Sequence, residues 1–252
     1  MFCSLRVIYI ENQFFGTAYG GLLVDDHGRP LGGSVLGIRR SVIDQHLTLQ
    51  HWASWKEQLS FGGTNDQNYN VSPDLQQITT TTTESLNDFL YFVIAHEFGH
   101  MFDFANRLNS SPLSADVLPG SWTEIGWMRG PPDKDGSATI IPKLNFTNRD
   151  RLCFYQCADD PRGPMARADL DSLYGGWMNS DFISLYATTQ QYDDFADSVG
   201  YFSMHENLHT NYTITLPSGT NIDIMRRLES PLFATKLAYL RNFFARTDNI
   251  YP

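Results

Sequence analysis

Residues 81–106 read TTTESLNDFLYFVIAHEFGHMFDFAN, and this stretch decides the expected fold. Its apolar residues surround a helical axis almost completely, which is typical of a buried helix. Thr81 followed by Glu84 matches a capping box, in which the threonine oxygen accepts a backbone amide and the glutamate reaches back. The pattern predicts one long buried helix from about Thr81 to Asn106.

His96, Glu97 and His100 lie in the middle of this predicted helix. Helical spacing puts the two histidines one turn apart on the same face, so their imidazoles can hold a single metal ion. Glu97 is rotated by about 100° around the axis, where it reaches a water on the metal without binding the metal. Zn²⁺ with three protein ligands lowers the pKa of a bound water to about 7. We therefore expect a zinc site with Glu97 as the general base for attack on a carbonyl group.

The third ligand has several candidates. Asp193 and Asp197 are spaced i, i+4 and face the same way on a helix, with Asp194 beside them. Acids at the start of a helix are also favourable without any metal, because they face the positive end of the helix dipole. Glu124 is the other candidate, because it lies at roughly the distance from the histidines that a thermolysin-like enzyme would use. Such enzymes carry an acid four residues after this ligand, whereas Met128 stands there in this chain. These residues alone leave Asp193, Asp194, Asp197 and Glu124 open.

A family resemblance favours the first of these candidates. The motif HEFGH at 96–100, followed by Tyr186 and by the acidic block 193–197, resembles the anthrax lethal factor-like and Pro-Pro endopeptidase-like zinc peptidases. By position, the resemblance implies that Asp193 is the third zinc ligand and that Asp197 orients a ligand histidine. It also implies that Tyr186 donates its hydroxyl proton to the oxyanion of the tetrahedral intermediate.

Two departures from the family accompany the resemblance. Both family glutamates are aspartates here, at positions 193 and 197, so the helix that carries them must stand closer to the zinc. The chain between His100 and Asp193 is also longer than usual, which is consistent with an insertion at 108–165.

The rest of the chain predicts an α+β, zincin-like fold, with a small twisted sheet packed on the active-site helix and a helical C-terminal half. The strand signals lie within residues 17–44. Further helices are expected at 46–60, 181–199 and 223–247. The polar segment 62–83 reads as a surface loop.

A single zincin-like domain is expected over residues 1–252. Its first part, 1–107, holds the sheet and the active-site helix. Residues 108–165, rich in Pro, Gly and Asp, are expected to form a loop-rich insertion with little regular structure. Residues 166–252 form the helical part that supplies the third ligand.

Composition narrows the range of partners. The formal net charge of −10 argues against binding to nucleic acid and remains compatible with a polypeptide substrate. No run of about eighteen apolar residues predicts a membrane span. Cys153 and Cys157 can form a local bridge or remain two thiols. The first ten residues lack the long apolar stretch of a leader, so either the protein is not secreted by that route or a leader has been removed. Of the possible locations, an extracellular or periplasmic one is favoured over a cytoplasmic one.

Two other hypotheses remain besides a metalloendopeptidase that hydrolyses internal peptide bonds. The first is a zinc-binding protein of zincin fold with little or no catalysis, because the shorter acids alter the coordination. The second is a non-enzymatic interaction module in which HEFGH is accidental.

Overall fold

Helix α3, Leu86–Asn106, is formed by the long apolar stretch. The computed structural model describes residues 5–12, 14, 16–65, 68–71, 78–110, 115–132, 134 and 137–246. The expected capping box is wrong, because the Ser85 side chain caps the helix by accepting a hydrogen bond from the amide of Asp88. Thr81 is instead the last residue of strand β4, Thr79–Thr81. The Glu84 carboxylate accepts a hydrogen bond from the hydroxyl of Thr48.

The N-terminal sheet lies against α3. It contains β1, Leu5–Glu11, β2, Ala18–Val24, and β3, Pro30–Arg39. The central strand β3 runs parallel to β1 and antiparallel to β2. Strand β2 approaches the helix so closely that a Cβ atom added at Gly20 would lie 2.5 Å from the carbonyl oxygen of Glu97. The strands predicted within 17–44 are confirmed, and β1 was not predicted.

Two helices follow the sheet. They are α1, Arg40–Asp44, and α2, Leu49–Gln58. The Thr48 side chain caps α2, and Trp52 and Trp55 on it are buried, so the helix predicted within 46–60 is confirmed. The predicted loop at 62–83 is interrupted by β4, and its residues 66–67 and 72–77 lie outside the described part of the chain.

Segment 108–165 has more regular structure than expected. It contains α4, Trp122–Gly126, and a hairpin of β5, Trp127–Pro132, with β6, Ala138–Pro142. The indoles of Trp122 and Trp127 are almost fully buried, so this part of the segment belongs to the core and takes ordered secondary structure. A disulfide joins Cys153 and Cys157 further along, which resolves the state of that pair.

The C-terminal half is largely helical, as predicted. Its helices are α5, Leu170–Met178, α6, Gln191–Asn207, α7, Ile224–Leu228, and α8, Ala234–Ala245. Strands β7, Thr213–Thr215, and β8, Asn221–Asp223, add to β4 in a small antiparallel sheet.

The helix predicted at 181–199 begins only at Gln191. The hydroxyl of Ser184 accepts the amide of Ala187 and donates to Asp197, so the preceding residues form turns that pack onto α6. Residues predicted as one helical region at 223–247 form two helices, α7 and α8.

Helices α3 and α6 pack directly against each other. A Cβ atom added at Gly99 would lie 2.6 Å from Cα of Ala196, so the two backbones touch at that point. Phe92 on α3 and Tyr201 on α6 continue the contact, with ring centroids 4.8 Å apart. The architecture is α+β, as predicted. Among the described residues, no helix is both long and apolar enough to cross a membrane.

Candidate metal centre

His96 and His100 on α3 meet Asp193 on α6. Each offers one ligand atom, and these atoms all lie within 4.8 Å of one another. Oδ1 of Asp193 lies 3.8 Å from Nε2 of His96 and 3.4 Å from Nε2 of His100. The side-chain amide of Gln190 donates a hydrogen bond to the other oxygen of Asp193 and directs the carboxylate. The three residues form a group that could hold a metal ion.

Two of the three spacings between these atoms are close to those around a small divalent cation. Ligand atoms that each lie about 2.0–2.2 Å from a tetrahedral zinc ion are separated from one another by roughly 3.3–3.6 Å. The two distances to Asp193 lie at or close to that range. Two imidazoles and one carboxylate suit Zn²⁺ and other first-row divalent ions.

Asp197 orients the first histidine. Its Oδ1 atom lies 2.7 Å from Nδ1 of His96, and its other oxygen accepts a hydrogen bond from Ser184. Burial raises the pKa of Asp197, but the nearby Lys56 and His96 and the hydrogen bond from Ser184 outweigh it and lower the pKa to about 2. An ionised Asp197 favours the tautomer with a proton on Nδ1, which leaves the Nε2 lone pair of His96 available to a metal.

Asp194 and Glu124 do not join the group. One oxygen of Asp194 accepts hydrogen bonds from the indoles of Trp122 and Trp127 and from Lys236, on the side of α6 that faces the core. Glu124 is exposed and accepts a hydrogen bond from the amide of Gly120. Of the four acids that the sequence left open, Asp193 is the one brought to both histidines.

Glu97 is buried beside the histidines. Desolvation raises its pKa, whereas the charges of His96 and His100 and the amide of Gly20 act in the opposite direction. Burial lowers the pKa of His100, but Asp193 and Glu97 outweigh this and raise it to about 9. Two carboxylates therefore face this pair of histidines, and a cation bound there would be compensated by nearby negative charge.

Tyr186 lies on the other side of His96, in a short turn before α6. The centroids of the two rings are 6.2 Å apart. The edges of Phe154 and Tyr155, from the disulfide-bonded turn, pack against the phenol. Burial raises its pKa well above the usual value, so the phenol keeps its proton at neutral pH. Among the described residues, its hydroxyl has no hydrogen-bond partner.

A cavity of about 290 Å³ adjoins these groups. It is lined by His96, Glu97 and Tyr186, and by Trp52, Phe92 and Lys56. Sequence reasoning missed Lys56 and Ser184. Lys56 could have been found as a charged residue that directly follows Trp55 in the predicted helix.

The chain was compared with models of known protein families, with characterised proteins and with solved structures, and no match was found.

Proposed function

We propose that this protein is a zinc metalloendopeptidase of zincin fold, related in its site to the lethal factor-like and Pro-Pro endopeptidase-like peptidases. The observation that carries the proposal is the convergence of His96, His100 and Asp193, with Glu97 beside them on the cavity. A sheet packed on the helix of the two histidines, and an acid supplied by a later helix, are in keeping with that fold.

Each residue of the site has a separate role in the proposed reaction. His96, His100 and Asp193 would hold a zinc ion, which would supply an activated water and polarise the substrate carbonyl. Glu97 accepts the proton of the attacking water and passes it to the leaving amine, a role for which its raised pKa is suited. Tyr186 donates its hydroxyl hydrogen to the carbonyl oxygen as negative charge develops there. Asp197 keeps His96 in the tautomer that the site needs.

We extend the proposal to a polypeptide substrate and to the cellular location of the protein. A polypeptide substrate would lie at the cavity beside Glu97, and the net charge of −10 makes a nucleic acid an unfavourable partner. The disulfide between Cys153 and Cys157 supports an extracellular or periplasmic location, because such bonds persist in oxidising compartments.

The test compares wild type with Glu97→Gln, after zinc loading, on a library of internally quenched peptides. We expect both proteins to retain zinc and the variant to cleave about 10²–10⁴-fold more slowly. Glu124→Gln is the matched control, because Glu124 is exposed and lies outside the metal group, and it should cleave like wild type.

Two outcomes would decide for the other hypotheses. Stoichiometric zinc without cleavage that depends on Glu97 would indicate a zinc-binding protein with little catalysis. Substoichiometric metal that is unchanged by His96→Ala would indicate an interaction module with an accidental HEFGH motif.

A further inference from the structure

Lys56 is a buried cation beside the metal centre. It is 6% exposed, and its Nζ atom lies 3.9 Å from the ring centroid of Tyr186 and 4.7 Å from that of Trp52. The carboxylate paired with it is that of Asp197, with Oδ1 at 4.0 Å. Within the described residues, this ammonium group makes no hydrogen bond. Its three N–H donors are therefore available to another acceptor.

Lys236, which is also buried, has a different environment. Nζ of Lys236 lies 2.8 and 3.0 Å from the two oxygens of Asp194 and 3.2 Å from Oδ2 of Asp181. Its charge and its donors are satisfied inside the protein, as expected for a structural cation. Lys56 has no equivalent hydrogen bonds, and it lines the cavity with His96 and Glu97.

The walls of the cavity are largely apolar. Trp52, Phe92, Val93 and Tyr155 line it together with Lys56, and its volume is about 290 Å³. Aromatic and aliphatic walls are suited to methylene groups, and an ammonium with available donors is suited to an anion at the end of such a stem.

We propose that this cavity is a subsite for a carboxylate of the substrate, bound by the ammonium of Lys56. The inference rests on the proposed peptidase function and names the substrate class. A glutamate or aspartate next to the scissile bond is preferred, and a lysine or arginine there is rejected because it would face Lys56. A C-terminal carboxylate has the same chemistry, and a preference for it would favour removal of C-terminal residues over the proposed cleavage of internal bonds.

The anions already present do not block such a subsite. Asp197 lies 4.0 Å from Nζ of Lys56 without accepting a hydrogen bond from it and is held by Ser184, and Glu97 accepts the amide of Gly20. Because Asp197 already shares the charge of Lys56, a bound carboxylate would rely on the N–H donors of Lys56 and on the cation that the proposed metal centre would hold.

The test is a binding titration of the full-length chain, with and without added zinc. The probes are N-acetyl-glutamate amide, its neutral isostere N-acetyl-glutamine amide, and N-acetyl-leucine, which carries a terminal carboxylate. A charge-assisted hydrogen bond favours the acid over the amide by about tenfold or more. The two acidic probes show whether a side-chain or a terminal carboxylate is preferred.

Variants assign the effect to Lys56. We expect Lys56→Met to abolish the preference for acid, Lys56→Arg to retain it, and the exposed control Lys143→Met to leave it unchanged. Circular dichroism verifies that each variant is folded. The subsite is overturned if wild type binds N-acetyl-glutamate amide and N-acetyl-glutamine amide equally and binds N-acetyl-leucine no better than Lys56→Met does. A preference for acid that persists in Lys56→Met also overturns it. Carboxylate binding through Lys56 without any peptidase activity contradicts the proposed function and leaves the subsite standing.

Discussion

Oδ1 of Asp197 lies 2.7 Å from Nδ1 of His96, so an acid one helical turn beyond Asp193 fixes the ring of the first histidine. The carboxylate is fully buried and its second oxygen is held by Ser184. This relationship ties the tautomer of His96 on α3 to the position of α6. It would make the candidate metal centre sensitive to residues that cannot contact a bound ion.

Replacing Asp197 by Asn should weaken zinc binding by about 10–100-fold, because a neutral amide stabilises the required tautomer of His96 less well. Competition with a fluorescent chelator measures the affinity. Asp116→Asn, at an exposed acid outside the site, is the control. An affinity equal to that of wild type would contradict the assigned role.

Removal of the third ligand should be the more severe change. Asp193→Ala is expected to lose bound metal as His96→Ala does, whereas Glu124→Ala keeps it, because Glu124 lies outside the group. Elemental analysis of the purified proteins gives the metal content. The reverse ranking would move the third ligand to Glu124.

Metal binding should release a proton from His100. Its pKa of about 9 in the metal-free chain means that the ring carries a proton at pH 7.5, which the metal must displace. The affinity should therefore rise with pH and level off above about pH 9. Calorimetry in buffers of different ionisation enthalpy measures the released proton, and an affinity that does not depend on pH below 9 would contradict the shift.

Some parts of the fold and of the candidate site could be predicted from the sequence, and others could not. The pair His96 and His100 was readable because a helix converts a spacing of four residues into a shared face. The third ligand was left open, because the position of α6 depends on tertiary packing at Gly99 and on the burial of Asp194. The regular structure within 108–165 was not predicted, because its core contacts come from Trp122 and Trp127 and not from a periodic pattern of apolar residues.

The buried pair of Lys236 and Asp194 should matter for stability. Lys236→Met leaves the Asp194 carboxylate buried without its cation, which costs about 3–5 kcal/mol. The exposed pair of Arg129 and Asp116 provides the control, since Arg129→Met should change the free energy of unfolding by only about 0–1 kcal/mol. Urea denaturation measures both variants, and equal losses would contradict the distinction.

Two glycines in helices should respond in opposite directions to alanine. At Gly99 the added methyl would meet Cα of Ala196, so Gly99→Ala should destabilise the protein by roughly 1–3 kcal/mol. At Gly175 nothing lies within 4 Å of the added Cβ, and Gly175→Ala should stabilise it by up to about 1 kcal/mol. Thermal unfolding followed by circular dichroism distinguishes them, and a neutral Gly99→Ala would contradict the close helix contact.

The missing side chain at position 99 also lets the short acids at 193 and 197 approach the histidines. With no methyl group between them, α3 and α6 approach until their backbones touch, and a carboxylate on a single methylene already reaches the imidazoles. The size of one residue on the first helix and the reach of two acids on the second are thus geometrically matched, and a change in either requires a compensating change in the other.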